Sequence, residues 1–233
     1  MATTGRNRAS LRRRGARVTA ALERRFGVPA WEGPEPPLDS LIWTILSQSN
    51  NDVNAERTFA ALQARFPSWE EALAAGPGEI EAAIRRGGLA RQKSVWIHKL
   101  LGWARERFRS FDLGALREMP TEEVFALLRP LDGVGVKTIA VTLLFACGRD
   151  VFPVDTHVHR IVRRVGLVPE RASAEKTFEL MRPLVPKGKA LSLHVNLLRL
   201  GRTICRPTDP ACPTCPLRRM CDYAKTMSVT RDA

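Results

Sequence analysis

Residues 127–138 read LLRPLDGVGVKT, and this short stretch is the most informative in the chain. A helix is predicted to end near Pro130, and a second helix to begin at Val136. The turn between them, LDGVG, holds Gly133 and Gly135, which let the backbone turn tightly and come close to a ligand. The stretch therefore predicts a hairpin between two helices.

The second helix of this hairpin presents backbone N–H groups and the positive end of its dipole at its N-terminus. A phosphate group suits that geometry, and contacts of this kind position a nucleic acid without reading its sequence. A Gly-x-Gly turn alone is a weak signal, because ordinary tight turns between helices use it as well. The full pattern, a helix followed by LxGVGxKT and another helix in a basic chain, favours phosphate binding.

Two side chains, one in the hairpin and one beyond it, are candidates for chemistry. Lys137 lies in the first turn of the second helix, where the dipole disfavours an ammonium and makes the neutral, nucleophilic amine more accessible. A charged lysine that binds phosphate is the alternative. Asp155, in the segment VDTHV, is predicted to cap a helix over 156–165. Most such aspartates are caps only, but a lysine nucleophile needs a nearby carboxylate, which makes Asp155 the second catalytic candidate.

The chain as a whole is strongly basic, with 233 residues and a formal net charge of +13. Residues 1–26 hold eight arginines against one acid, Glu23, which gives this segment a net charge of +7. Such an excess indicates a polyanionic partner, and nucleic acid is the first choice. A membrane surface and a merely solvated basic surface are the alternatives.

The N-terminal segment lacks the periodicity of a packed helix. Residues 1–16 are predicted to form a disordered basic arm, and a helix is predicted over 17–26. The same composition also resembles an organelle transit peptide. No apolar segment follows the basic residues, as a secretory signal would require, and no apolar run reaches the ~18 residues needed to span a bilayer. We therefore expect a protein of the bacterial cytoplasm that associates with the nucleoid, with an organelle or the nucleus as the alternative in a eukaryote.

Helical periodicity dominates the rest of the chain. The segment 31–39, WEGPEPPLD, holds three prolines and a glycine and is predicted to be a linker. The next helix is expected to have Asp39 or Ser40 as its N-cap. Residues 90–109 are predicted to form a long amphipathic helix whose inner face holds Val95, Ile97, Leu100, Leu101 and Trp103. Because no stretch alternates with a period of two, the pattern predicts an all-α fold.

Four of the five cysteines lie close together near the C-terminus, in the pattern Cys205-x6-Cys212-x2-Cys215-x5-Cys221. Without an export signal, a metal site is favoured over disulfides. Zinc usually takes two CxxC-like pairs, and only one such pair is present here. The compact spacing fits a [4Fe–4S] cluster better, with zinc as the alternative.

Taken in this order, the hairpin, the VDTHV segment and the cysteine tail resemble the endonuclease III family of DNA repair glycosylases, within the helix-hairpin-helix superfamily. The resemblance covers about residues 38–223. It implies a two-domain α fold with a DNA-binding cleft: a six-helix barrel over 38–150 that contains the hairpin, and a discontinuous domain of residues 17–37 and 151–233 that carries the [4Fe–4S] cluster. Double-stranded DNA with a damaged base or an abasic site is the implied partner, and we expect a monomer.

The resemblance also assigns roles to single residues. Lys137 falls on the catalytic lysine of the family and Asp155 on its catalytic aspartate. Gln48 is similar to the residue that fills the hole left by a flipped base, and Leu89 to the wedge from the opposite strand. Further DNA contacts are implied for Gly133, Gly135 and Arg206, and the four tail cysteines are implied as the cluster ligands.

The chain departs from the family pattern in places. Asp132 stands where the family usually has proline, which puts a negative charge near the expected phosphate. The loop between the first two cysteines is commonly rich in Lys and Arg, whereas here it reads RPTDPA and sets Asp209 against Arg206. These departures concern DNA affinity and lesion range more than the type of reaction.

The implied activity is that of a bifunctional DNA glycosylase and AP lyase acting on oxidised pyrimidines. One alternative is an adenine-removing mismatch glycosylase of the same superfamily, which lacks the lysine and uses a glutamate where this chain has Trp43. A second alternative is a DNA-binding or redox-sensing module that uses the hairpin and the cluster without chemistry. The joint presence of Lys137 and Asp155 favours the enzyme.

Overall fold

The computed structural model describes residues 2–229 and, among these, the side chains of residues 8–226. Every regular element in that range is a helix, which confirms the predicted all-α class. The chain divides into two compact units: Gly33–Arg149 forms a central unit, and the N-terminal segment up to Glu32 joins the chain from Asp150 onward to form a terminal unit. None of the helices in the described part is long and apolar enough to cross a lipid bilayer.

The α-helices of the described residues are named in chain order. They are α1 (Ala2–Phe26), α2 (Pro37–Ser47), α3 (Asp52–Arg65), α4 (Trp69–Ala83), α5 (Ala90–Phe108), α6 (Thr121–Leu128), α7 (Val136–Val141), α8 (Thr156–Arg164), α9 (Ala174–Met181), α10 (Ala190–Thr203) and α11 (Asp222–Val229). A 3-10 turn, Arg85–Gly87, precedes α5, and α7 continues into a π-helical turn, Thr142–Ala146.

The start of α2 differs from the prediction. The helix begins at Pro37, and the residue before it is Pro36 rather than Asp39 or Ser40, so the predicted N-cap is wrong. Proline suits the first helical position because its φ is already helical and it has no N–H to be capped. Asp39 instead accepts a hydrogen bond from the indole of Trp69 at 2.9 Å. Burial raises the pKa of this carboxyl group.

Helix α2 is the central element of the central unit, since it packs against α3, α5 and α7. Leu41, Ile45 and Leu46 on this helix are completely buried. Burial of each such side chain contributes about 2 kcal/mol to folding. This packing holds the C-terminal end of α2 beside the hairpin, where Gln48 follows.

In the terminal unit, α1 packs along α10, and α10 packs against α8. Helix α1 runs from Ala2 to Phe26, so the disordered arm predicted for residues 1–16 and the helix start predicted at 17 are wrong for the residues described. Residue 1 lies outside the described residues. Gly15 explains part of the difference: a Cβ at this position would lie 2.3 Å from the Leu184 carbonyl oxygen. The absence of a side chain therefore lets α1 approach this segment closely.

Two arginine side chains also hold this part of α1 in place. Arg14 donates a hydrogen bond to Asp222 at 2.6 Å, and this guanidinium holds the pKa of the Asp222 carboxyl group below its ordinary value. Arg12 donates to the carbonyl oxygen of Pro183 at 3.1 Å. Because these contacts use polar side chains, an amphipathic pattern does not reveal them.

Candidate active site and cysteine tail

The predicted hairpin is present between α6 and α7, and Gly133 lies at its tip with a left-handed φ of 76°. The backbone turns through a hydrogen bond from the Val134 N–H to the Leu131 carbonyl oxygen at 3.1 Å. The ring of Trp96, on α5, lies directly beneath Gly133, since a Cβ on the glycine would be 2.5 Å from Cε3 of that ring. Glycine is therefore required here both by the backbone and by the tryptophan.

The N-terminus of α7 has no side-chain cap, because its N-cap residue is Gly135. The first backbone N–H groups of a helix have no partner within the helix, and no side chain at the N-cap position of α7 accepts from them. An open groove of about 570 Å³ lies beside them. It is lined by Gln48, residues 129–135, Lys137 and Thr138.

Lys137 and Gln48, predicted from separate motifs, both line this groove. Lys137 is half-buried in the first turn of α7, as predicted. Gln48 donates its side-chain N–H to the Gly133 carbonyl oxygen at 2.8 Å, so it ties the end of α2 to the hairpin. The sequence predicted a role in DNA repair for each of these residues, but it did not predict their common groove or this hydrogen bond.

The charge of Asp132, a departure from the family pattern, is balanced within the central unit. Its carboxylate accepts a hydrogen bond from Lys99 on α5 at 2.7 Å. Both side chains are more than half exposed, so the pair adds at most about 1 kcal/mol to stability. Its effect is local, because it places a positive charge beside the only acid of the hairpin turn.

Leu89 also has unusual geometry. It precedes α5 with a left-handed φ of 51°, and its side chain is 55% exposed. Apolar side chains in a left-handed conformation are uncommon outside functional sites. The role assigned to Leu89 stays a prediction, but the structure places an apolar side chain in solvent at the tip of a turn.

Asp155 lies in the terminal unit, where it is half-buried and caps α8 as predicted. Its Oδ1 accepts a hydrogen bond from the Val158 N–H at 2.7 Å. Within the described part of the chain, the second carboxylate oxygen accepts no further hydrogen bond. The cap therefore occupies one oxygen of the carboxylate and leaves the other for a second task.

The four tail cysteines interact with one another electrostatically. Burial raises the pKa of Cys215 to about 11, and the charges of Cys205, Cys221 and Cys212 act in the same direction. In addition, Arg164 donates a hydrogen bond to Sγ of Cys205 at 3.3 Å. The four cysteines therefore lie close enough to affect one another's ionisation, and a guanidinium lies beside one of them.

The spacing of these thiols bears on which group they fit. Among the side chains described, no three His, Cys, Asp or Glu residues are grouped so that they could hold a metal ion. A structural zinc site needs four ligands around one ion, whereas each cysteine of a [4Fe–4S] cluster ligates its own iron, which allows the sulfurs to stand further apart. The [4Fe–4S] cluster expected from the cysteine spacing stays a prediction.

Arg206, predicted to contact DNA, uses its side chain inside its own loop. Its guanidinium donates to the Asp209 carbonyl oxygen at 2.9 Å and lies 3.5 Å from the Asp209 carboxylate. Arg218 and Arg219, in the last loop between cysteines, are exposed. The assignment of Arg206 to DNA stays a prediction, and the structure shows a competing partner for it.

Gly133→Ala is expected to destabilise the protein by about 2–5 kcal/mol. A left-handed conformation costs an L side chain about 1–2 kcal/mol, and overpacking against Trp96 adds about 1–3 kcal/mol. Gly135→Ala is the matched control, because Gly135 has a φ of −91° and nothing lies within 4 Å of an added Cβ. Its stability should stay within about 0.5 kcal/mol of wild type. Denaturant unfolding measures both values, and equal stability of the two variants would contradict the role given to the Trp96 contact.

A family model matches residues 42–187, more than half of the chain, and is described as the HhH-GPD superfamily base excision DNA repair protein. The chain is 38% identical over 168 residues to a protein of Arabidopsis thaliana named as a DNA glycosylase; the match covers 72% of this chain and 57% of that protein. It is 31% identical over 187 residues to endonuclease III of Thermotoga maritima, which covers 80% of this chain and 83% of the relative.

Solved structures agree with the sequence relatives. A non-covalent complex of endonuclease III with DNA matches at a TM-score of 0.79 and 25% identity, and covers 94% of this chain and 98% of its own. A trapped covalent intermediate of endonuclease III with DNA matches at the same TM-score and identity, and covers 93% of this chain. On the hairpin geometry and these matches together, the chain belongs to the HhH-GPD superfamily of base excision DNA repair proteins, and within it to the endonuclease III-like DNA glycosylases.

Proposed function

We propose that the protein is a bifunctional DNA glycosylase and AP lyase that removes oxidised pyrimidines from double-stranded DNA. One observation carries this proposal: Lys137 lines an open groove next to the uncapped N-terminus of α7. An amine at that place can reach a sugar whose neighbouring phosphate is bound by the backbone N–H groups of the hairpin. A damaged nucleotide leaves the base stack at lower cost than an intact one, which gives the enzyme part of its selectivity.

The proposed reaction begins with attack of the neutral Lys137 amine on C1′ of the flipped nucleotide. A C–N bond forms as the N-glycosidic bond breaks, and the base leaves with a proton. The sugar ring opens to an imine between Lys137 and C1′. Loss of the C2′ proton then expels the phosphate from C3′, so the strand is cut 3′ to the lesion, and water releases the lysine.

Asp155 is proposed to supply the negative charge that this reaction needs. Its carboxylate assists deprotonation of Lys137 and stabilises the positive charge that develops on the sugar. The hydrogen bond from the Val158 N–H holds the carboxylate in place. The cap of α8 therefore also orients the carboxylate that is proposed to be catalytic.

Gln48 and Leu89 are proposed to act on the DNA rather than on the reacting bond. Gln48 fills the space that the flipped base leaves, and Leu89 enters from the opposite strand. The exposure of Leu89 supports its part, and the hydrogen bond from Gln48 to the hairpin would have to be retained or exchanged when DNA binds. Gly133 and Gly135 bring the hairpin backbone to the phosphate. The protein acts as a monomer in this proposal.

Of the alternatives, adenine removal is disfavoured by Trp43. At the position where an acid is needed, the chain has an indole whose Nε1 donates to Glu56 at 2.9 Å. A non-catalytic module could use Lys137 to bind phosphate, but it would have no use for the carboxylate of Asp155. A panel of duplexes with single lesions, assayed for base release and for nicking, tests the proposal: release without nicking removes the lyase part, and no reaction on any lesion removes both parts.

We also propose that Cys205, Cys212, Cys215 and Cys221 bind a [4Fe–4S] cluster. When bound, the cluster supplies a structural cross-link for the tail between α10 and α11, and no catalytic step is assigned to it. Burial raises the pKa of Cys215 and of Cys221, and because a cluster binds thiolates, its binding would release the protons of these thiols.

The purified protein is expected to be brown and to contain about four iron atoms per chain, as a [4Fe–4S] cluster requires. Metal analysis and the visible spectrum of anaerobically prepared protein measure this. Cys147→Ser is the matched control, because Cys147 lies in the central unit and should leave the iron content unchanged. Stoichiometric zinc without iron would overturn the assignment.

A further inference from the structure

Lys93 on α5 is the largest completely buried side chain in the described part of the protein, with none of its surface exposed. Its ammonium donates hydrogen bonds to the carbonyl oxygens of Leu46, at 2.8 Å, and Gly87, at 3.1 Å. Burial lowers the pKa of this group. A buried charge without a carboxylate is costly, and an apolar side chain of similar length would fill the same volume without that cost. The two hydrogen bonds of Lys93 therefore indicate a function that an apolar side chain could not serve.

The two acceptors belong to the two segments that lead to Gln48 and Leu89. Leu46 lies in the last turn of α2, where the negative end of the helix dipole favours a cation. Gly87 ends the 3-10 turn that precedes Leu89. Lys93 thus connects the end of one segment to the end of the other by two hydrogen bonds from a single atom.

Two asparagines connect the same segments from the outer side. Asn50 donates to the Gly87 carbonyl oxygen at 3.0 Å. Asn54 donates to the Arg86 carbonyl oxygen at 2.8 Å and to the side-chain oxygen of Asn50 at 2.9 Å. The cross-link is therefore a network in which every contact joins residues 46–54 to residues 86–93 or supports such a contact.

The network holds two turn tips, residues 48–49 and residues 88–89, and each tip contains a residue with a strained backbone. Ser49 and Leu89 each have a φ of 51°, a left-handed conformation that non-glycine residues rarely adopt. The tips are neighbours, because a Cβ on Gly88 would lie 3.9 Å from the Ser49 carbonyl oxygen. Such conformations persist only where the surroundings determine them, and they cluster at functional sites.

We propose that Lys93 is a positioning residue that fixes the tips at 48–49 and 88–89 in one arrangement before DNA binds. The inference rests on the proposed function, since it assumes that these tips enter the DNA at the lesion. A preformed pair of tips does not have to be ordered while the nucleotide is being flipped, so its binding energy goes into opening the base pair. Lys93 does not act as a nucleophile, because it is completely buried.

The test compares Lys93→Met with Lys176→Met in the full-length protein. Lys176 is an exposed lysine of α9 in the terminal unit, and its replacement removes the same charge. Amide hydrogen exchange in the free protein should be faster in Lys93→Met at residues 46–51 and 85–89, and unchanged in the control. Fluorescence of 2-aminopurine beside the lesion reports base unstacking, and its amplitude should fall in Lys93→Met.

Enzyme assays complete the test. Base release from a lesion duplex should fall by about tenfold or more in Lys93→Met, whereas borohydride trapping on a pre-formed abasic site should stay within about threefold of wild type, since no base has to be flipped. Unchanged exchange, unstacking and base release in a folded variant would overturn the inference, and so would equal losses on both substrates.

Should Lys93→Met fail to fold, Asn54→Ala must show the same pattern with smaller changes. If the wild-type protein neither forms a trapped complex with DNA nor releases a damaged base, the proposed function is wrong. If the wild-type protein is active and Lys93→Met behaves in the same way, only the positioning role of Lys93 is wrong.

Discussion

Lys137→Ala is expected to abolish borohydride trapping on an abasic duplex and to remove the β-elimination activity. The reason is chemical: the Schiff base needs a primary amine, and alanine offers no group that can replace it. DNA binding should remain largely intact, because the phosphate contacts assigned to the hairpin come from its backbone N–H groups and its glycines. Gel analysis of trapped complexes and fluorescence anisotropy with an undamaged duplex measure the two properties separately.

Lys176→Ala is a suitable control for this variant, since Lys176 is an exposed lysine of the terminal unit. It should trap the duplex as well as wild type does. Full lyase activity in Lys137→Ala would mean that another amine, such as the N-terminus, is the nucleophile. Loss of DNA binding together with trapping would instead make Lys137 a phosphate-binding residue.

Asp155→Asn is expected to lower base release by about 10²-fold or more, which corresponds to about 2.7 kcal/mol of transition-state stabilisation. The variant should fold normally, because asparagine is about as good an N-cap as aspartate and its side-chain oxygen can still accept the hydrogen bond from Val158. The lyase step on a pre-formed abasic site should suffer less, since the base has already left. Single-turnover base release and nicking of an abasic duplex measure the two steps.

Asp155→Ser provides the matched control for the cap. Serine is also a good N-cap but carries no charge, so it should resemble Asp155→Asn in both stability and activity. Asp155→Ala should lose about 1 kcal/mol of stability in addition to the activity. Near-normal base release by a folded Asp155→Asn protein would reduce Asp155 to a helix cap.

The features that could be predicted from the sequence depend on groups close together along the chain. The hairpin around Gly133 and Gly135 follows from the glycines and the helical patterns beside them, and the cap of α8 follows from Asp155 and a backbone N–H three residues later. The all-α class follows from hydrophobic periodicity, and the order of hairpin, VDTHV segment and cysteine tail was enough to place the chain in its family. Residue types also nominated Lys137 and Asp155, whose roles stay predictions.

The tertiary structure alone decided which polar side chains are buried and with which partners. Asp39 is a good cap by sequence, but the indole of Trp69, thirty residues away, takes its carboxylate. Val95 was expected on the inner face of α5 and is 39% exposed, whereas Lys93 is completely buried. A hydrophobic pattern assigns lysine to the surface, because the cost of burying it is offset only by acceptors that distant segments supply. Those acceptors, at the end of α2 and in the turn before α5, come together only when the chain has folded.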